Sequence, residues 1–202
     1  MSASKILLIV VGIVAVVALI AGVGIAGSYN SLVAADQTAQ MAWGNVQSAY
    51  QRRWDLIDNL VATVKGAANF EQGTLVAVTE ARAKVGQISP QAGQDITNDP
   101  AALQRFQQAT AGLDSALSRL LVVVEKYPEL KATQAFRDLQ SQIEGTENRI
   151  NVERVRYNEA ASAFNTRRDT FPTVLVAGLL GFPPKTYFQA ETGAEKAPEV
   201  KF

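Results

Sequence analysis

Hydrophobic residues run first without interruption and then at spacings of three and four. Residues 6–26 are apolar or small throughout, carry no charge and follow Lys5. About twenty such residues at roughly 1.5 Å rise cross a hydrocarbon core of roughly 30 Å as an α-helix, so a transmembrane helix is predicted over residues 6–27. Gly24-Ile25-Ala26 would also suit a signal-peptide cleavage site. The run is longer than the roughly 7–15 residues of a signal h-region, and a retained anchor is expected. Lys5 precedes the span and no Lys or Arg follows it until Arg52. The positive-inside bias then leaves the short N-terminus, residues 1–5, in the cytoplasm and everything after residue 27 outside. Ala18, Gly22 and Ala26 repeat at every fourth position of the span, a small-residue face of the kind that packs helices in lipid.

Beyond the span, positions 29, 32, 36, 39, 43, 46, 50, 53, 57, 60, 64 and 67 are apolar except for Asp36 and Arg53. Alternating steps of three and four make a heptad seam, so one long amphipathic helix is expected to continue the span as a continuous or gently bent rod, with any bend at Gly24 and Gly27. After a break near Asn69 to Gly73, Leu75, Val78, Arg82 and Val85 form a second, short seam. Ser89 to Pro100 reads as a loop rich in Gly, Pro, Asn and Asp. Asp99-Pro100 has the chemistry of an N-cap followed by proline in the first turn. The third seam is Leu103, Phe106, Thr110, Leu113, Leu117, Leu120, Val124 and Tyr127, ended by Pro128. The fourth is expected from Glu129 to Thr170, with Phe136, Leu139, Ile143, Thr146, Ile150, Glu153, Tyr157, Ala160 and Phe164 in register. No stretch alternates with period two. The expected fold is all-α: an N-terminal transmembrane helix continuing into an elongated antiparallel four-helix bundle over residues 28–172, followed by an apolar and extended segment over 173–202.

Composition narrows the chemistry. The chain has neither Cys nor His, which removes thiol and imidazole catalysis and nearly all zinc sites. Lys and Arg total 19, as do Asp and Glu, so no basic field marks a nucleic-acid partner.

Several runs together resemble the LemA family. They are Tyr29-Asn30-Ser31-Leu32-Val33, Arg52-Arg53-Trp54-Asp55-Leu56-Ile57-Asp58-Asn59-Leu60-Val61 with Val64-Lys65, Ala81-Arg82-Ala83, and Glu125-Lys126-Tyr127-Pro128-Glu129-Leu130-Lys131-Ala132. Glu147-Asn148-Arg149-Ile150, Tyr157-Asn158, Phe171-Pro172 and Gly181-Phe182 complete the series. The resemblance implies a bacterial membrane-anchored helical bundle, and one branch of that family takes part in building the magnetosome membrane. Some members carry a lipoprotein Cys just before the Tyr-Asn motif in place of a span, which this chain lacks. Asp58 stands where the family usually has proline.

Three groups of residues are candidates for function. Arg53, Arg82 and Glu153 lie on seams, where a buried guanidinium needs a carboxylate, and a shared layer pairing either arginine with Glu153 is expected to set register rather than to catalyse. Trp43, Tyr50, Trp54 and Tyr157 fall at helical spacing and are read as packing residues, with Tyr29 at the membrane interface. Val174, Leu175, Leu179, Leu180 and Phe182 belong to an apolar stretch too short to span a bilayer, so it is expected to cover the bundle, lie in the membrane interface or dock on another subunit. The tail from Glu195 to Phe202 is expected to need a partner surface.

These expectations converge on a non-enzymatic scaffold without cofactor or metal that self-assembles at the bacterial cytoplasmic membrane and organises or shapes it. Its expected partners are itself, the lipid bilayer and a possible second membrane protein, with no nucleic acid. A periplasmic adaptor holding a membrane protease or envelope signalling protein is the alternative.

Overall fold

A computed structural model describes residues 3–67, 70–88 and 96–189. Among them every regular element is helical: α1 (Ala3–Lys65), α2 (Gln72–Ile88), α3 (Pro100–Val124), α4 (Pro128–Lys131) and α5 (Gln134–Asp169), with short 3-10 turns at Ile96–Asn98 and Thr173–Leu175. Residues 89–95 of the expected loop, Asn69 of the first break and the tail from Glu195 to Phe202 lie outside the described residues.

Helix α1 passes through Gly24 and Gly27 without interruption. Every described residue up to Gly27 is exposed, and Ser28 is the first one buried. Beyond Ser28 the seam is buried as its spacing dictates, from Leu32 and Ala39 through Trp43, Val46, Tyr50 and Ile57 to Val64. Helix α3 begins as expected: Asp99 Oδ1 accepts from the Ala101 and Ala102 amides at 2.9 and 3.1 Å, and Pro100 occupies the first turn, where no donor is needed.

The last long helix departs from expectation. The chain forms the four-residue α4 after Pro128 and starts again at Gln134. Thr133 explains the interruption, because its hydroxyl donates to the Leu130 carbonyl at 2.7 Å and accepts from the Phe136 amide at 3.3 Å. One side chain thereby closes α4 and caps α5, which a periodic apolar pattern cannot reveal.

Two compact units result: residues 1–42 with 159–185, and residues 43–158 with 186–202. Residues 173–185 group with the first part of α1. In the first unit Leu32, Phe164 and Ala177 form a core against which Ala35 and Phe182 pack. In the second, α2 packs along α3. Its aromatic centre joins Trp43 and Tyr50 of α1 to Phe106 of α3, with edge-to-face centroid distances of 6.0 and 5.1 Å. Trp43 also meets Tyr157 of α5 at 5.6 Å.

Candidate functional site

The polar interruptions of the seams are ion-paired, but not to the partners expected of them. In the second unit Arg53 is buried between two carboxylates, its Nη2 lying 2.8 Å from Asp114 Oδ1 and its Nη1 2.6 Å from Glu147 Oε2. Arg82 covers the Trp54 ring, with its guanidinium carbon 5.1 Å from the centroid, and lies 3.5 Å from Asp58. Glu153, 1% exposed, draws on its own helix: Oε1 is 2.7 Å from Arg149 and 3.0 Å from Arg156, while Oε2 is buried without a hydrogen bond. The expected shared layer of Arg53, Arg82 and Glu153 is thus corrected. A side chain as long as arginine reaches carboxylates beside the seam, so a common seam position does not determine its partner.

Arg53, Asp114 and Glu147 also line a polar cleft of about 360 Å³ together with Tyr50, Gln104, Gln108, Arg154 and Gln189. Burial pushes the Tyr50 hydroxyl above its usual value, outweighing the cation of Arg154. Arg53 and the two carboxylates of the cleft hold one another. Arg154 lies over the Phe188 ring at 4.8 Å and donates to the Gln189 carbonyl at 3.1 Å.

In the same unit the chain beyond residue 185 is held by backbone contacts that the sequence did not announce. Asn158 pairs with Phe188 like a strand partner, its amide donating to the Phe188 carbonyl at 3.0 Å and its oxygen accepting from the Phe188 amide at 2.9 Å. Tyr157 donates to the Thr186 carbonyl at 2.8 Å. In the first unit Asn165 does the same for Lys185, at 2.8 Å in both directions. The available signal was the spacing of Asn158 and Asn165, seven positions apart on one helix face.

The remaining candidates lie in the first unit. Ala18, Gly22 and Ala26 are exposed on the bare stretch of α1, and a Cβ on Gly22 would meet nothing within 4 Å. The apolar stretch after α5 divides by direction. Phe182 turns inward, its ring 5.8 Å from Tyr29 and 6.3 Å from Phe164, and Leu180 is half-buried. Val174 and Leu175 are exposed, and Leu179 is 88% exposed. Phe171, not singled out by the sequence, joins them at 76%. Because Thr173, Ala177, Lys185 and Phe188 are buried, removing residues 173–202 would strip packed side chains from the helices.

The LemA family model matches residues 42–202. Two proteins of Paramagnetospirillum magneticum, described as magnetosome proteins MamQ 1 and MamQ 2, are each 27% identical over 202 residues, covering 93% of this chain and 74% of theirs. Protein LemA of Metamycoplasma hominis is 29% identical over 164 residues, covering 81% of this chain and 70% of its own.

Proposed function

Because this chain belongs to the LemA family, we propose that it is a non-enzymatic scaffold, anchored by α1, that self-assembles in the bacterial cytoplasmic membrane with its helical part outside. The observation that carries this reading is the make-up of α1. In one unbroken helix a bare apolar stretch up to Gly27 passes directly into buried packing at Ser28. Among the described residues one helix is thus long and apolar enough to cross a membrane, and its first part, through residue 42, belongs to the same compact unit as residues 173–185. The magnetosome proteins among its relatives fit a role at a membrane.

Three further observations support the finer parts. The shared aromatic centre of α1, α3 and α5, together with α2 along α3, suits an antiparallel four-helix bundle. The buried charges Arg53 and Glu153 are matched by carboxylates and guanidiniums of the chain itself, which is a structural use of charge. Ala18, Gly22 and Ala26 leave an open small-residue face in the span, and confinement to a plane raises the effective concentration at which such faces meet. The adaptor reading is favoured by a different feature, a groove of about 730 Å³ lined by Val61, Phe70, Leu75 and Val76 with Lys65 and Glu80 at its edge.

Mass photometry of the full chain in mild detergent tests self-assembly. Large particles from the purified protein, shrinking when Gly22→Ile closes the small-residue face, are expected. A parent protein that is monomeric at every concentration would put the adaptor ahead. Alkaline phosphatase fused after Phe202 is expected to be active, and an inactive enzyme beside a bright green fluorescent fusion would reverse the orientation.

A further inference from the structure

We propose that the loop of residues 171–180 is a second membrane contact, seated in the interfacial layer of the leaflet from which α1 emerges, with Phe171, Leu175 and Leu179 directed into lipid. The proposal rests on the reading that α1 spans the bilayer, and its occupant is the lipid surface itself.

Height along α1 places the loop. Phe164 meets Leu32 in the core of the unit, Arg167 donates to the Ser31 carbonyl at 3.3 Å, and the Thr173 hydroxyl lies 3.4 Å from that of Ser28. Contacts from α5 and the turn after it therefore step down α1 towards the bare stretch. Ser28 is two residues beyond Ala26, a separation of roughly 3 Å along a helix. The exposed side of the loop is thus continuous with the apolar surface of the span. A bilayer is the one apolar phase that a spanning helix necessarily brings to that height.

The chemistry of the loop fits that phase. From Thr170 to Pro184 there is no charged residue. Its amides are largely satisfied within the loop: Val174 to Thr170, Ala177 to Thr173, Leu180 to Val176 and Phe182 to Ala177, at 2.9 to 3.1 Å. Internal satisfaction is what backbone entering lipid requires, because hydrocarbon offers no partner. The last of these bonds closes a turn in which Gly181 has φ of 79°, a left-handed conformation that glycine adopts without strain. Charge collects at the rim instead. Arg167 is exposed and Arg168 is tied to Asp169 and, at 2.8 Å, to the Phe182 carbonyl, a height suited to lipid phosphates. Tyr29, edge-on to Phe182, supplies an interfacial aromatic beside them.

The absence of cysteine from the natural chain allows a direct test. Leu175→Cys, Leu179→Cys, Val122→Cys and Val16→Cys variants of the full chain are labelled with an environment-sensitive fluorophore. They are reconstituted in phosphatidylcholine–phosphatidylglycerol vesicles with nitroxide lipids labelled near the head group or at the chain end. Labels at 175 and 179 are expected to lose more than about half of their emission to the shallow nitroxide, as interfacial groups do. The label at 122, an exposed position of α3, should lose little to either, and the label at 16 should be quenched by the deep one. Unquenched labels at 175 and 179 beside a quenched label at 16 would overturn the proposal while leaving the span intact. A blue-shifted but unquenched label whose shift vanishes on dilution of protein in lipid would assign the loop to a second copy, and equally overturn it. An unquenched label at 16 would instead remove the spanning helix on which the proposal depends. Leu175→Ser with Leu179→Ser provides a cysteine-free check: circular dichroism unchanged, with proteolysis of the loop in vesicles accelerated several-fold.

Discussion

Lys185 holds its ammonium 2.8 Å from the carboxylate of Asp36. Both belong to the first unit, and Asp36 is one of the two residues that interrupt the apolar series of α1. The interruption is therefore a place where the chain beyond α5 is fastened to α1. The same ammonium lies 5.6 Å from the centre of the Phe164 ring, so the attachment joins charge to the apolar core. Asn165 fixes the Lys185 backbone on the neighbouring turn of α5.

Asp36→Ala should destabilise the protein strongly, because the lysine side chain is 2% exposed against 19% for the aspartate. Taking the carboxylate away from the more buried, still charged partner costs about 3 kcal/mol, or roughly 6–12 °C in melting temperature for a chain of this size. Asp36→Leu combined with Lys185→Met should recover most of that loss. Thermal unfolding followed by circular dichroism checks both, and equal melting temperatures for Asp36→Ala and the parent would show the ammonium to be solvated.

Around Arg53 the cation is again the more buried partner. The guanidinium side chain is 9% exposed, whereas Asp114 and Glu147 reach water at 39% and 42%. Arg53→Met removes the cation from two carboxylates whose side chains are partly open to solvent, so a loss of only about 1 kcal/mol is expected. Asp114→Ala with Glu147→Ala strands the buried cation and should cost about 3 kcal/mol or more. Urea midpoints of the two variants decide the matter, and the opposite ranking would mean that the pairs do not hold Arg53 in solution.

The heptad seams were legible because burial follows azimuth on a helix, and azimuth follows spacing. Leu103, Phe106, Leu113 and Leu120 of α3 are all buried where the pattern put them. Ionic partners were not legible in the same way. Choosing Asp114 for Arg53 requires the relative height and rotation of two helices, which the spacing along each one leaves undetermined. The attachment of residues 185–189 was hidden for another reason: it depends on amide side chains meeting an extended backbone, and an extended backbone imposes no periodicity. The apolar stretch after Pro172 announced itself, but its division into an inward Phe182 and an outward Leu179 followed from the turn closed at Gly181.

Glu153 departs from the expectation that its carboxylate pairs with a buried guanidinium of another seam. Its partners Arg149 and Arg156 have side chains 66% and 59% exposed, so neither is buried when the carboxylate goes. One oxygen of Glu153 is itself buried without a hydrogen bond, a cost that an apolar residue of similar volume removes. Glu153→Met should therefore melt no lower than the parent and gain up to about 2 kcal/mol. A loss as large as that of Asp36→Ala would place a buried cation against this carboxylate after all.

Tyr50 should make stability fall in alkali. Burial raises the pKa of its hydroxyl above the usual 10.0, so the folded state retains a proton that the unfolded chain releases at lower pH. Between those two values the native form binds more protons, and the free energy of unfolding then decreases as pH rises. The contribution is complete below the unfolded value and is lost on passing upward through the folded one. Lysine deprotonation acts in the same range, and a comparison with Tyr50→Phe removes it, since phenylalanine keeps the ring contacts with Phe106 and Trp54 without the ionisable group. Urea midpoints measured from about pH 9 to about pH 11 should fall more steeply for the parent than for the variant. Parallel curves would mean that water reaches the hydroxyl through the cleft beside Arg53, and that the phenol ionises there as freely as in the unfolded chain.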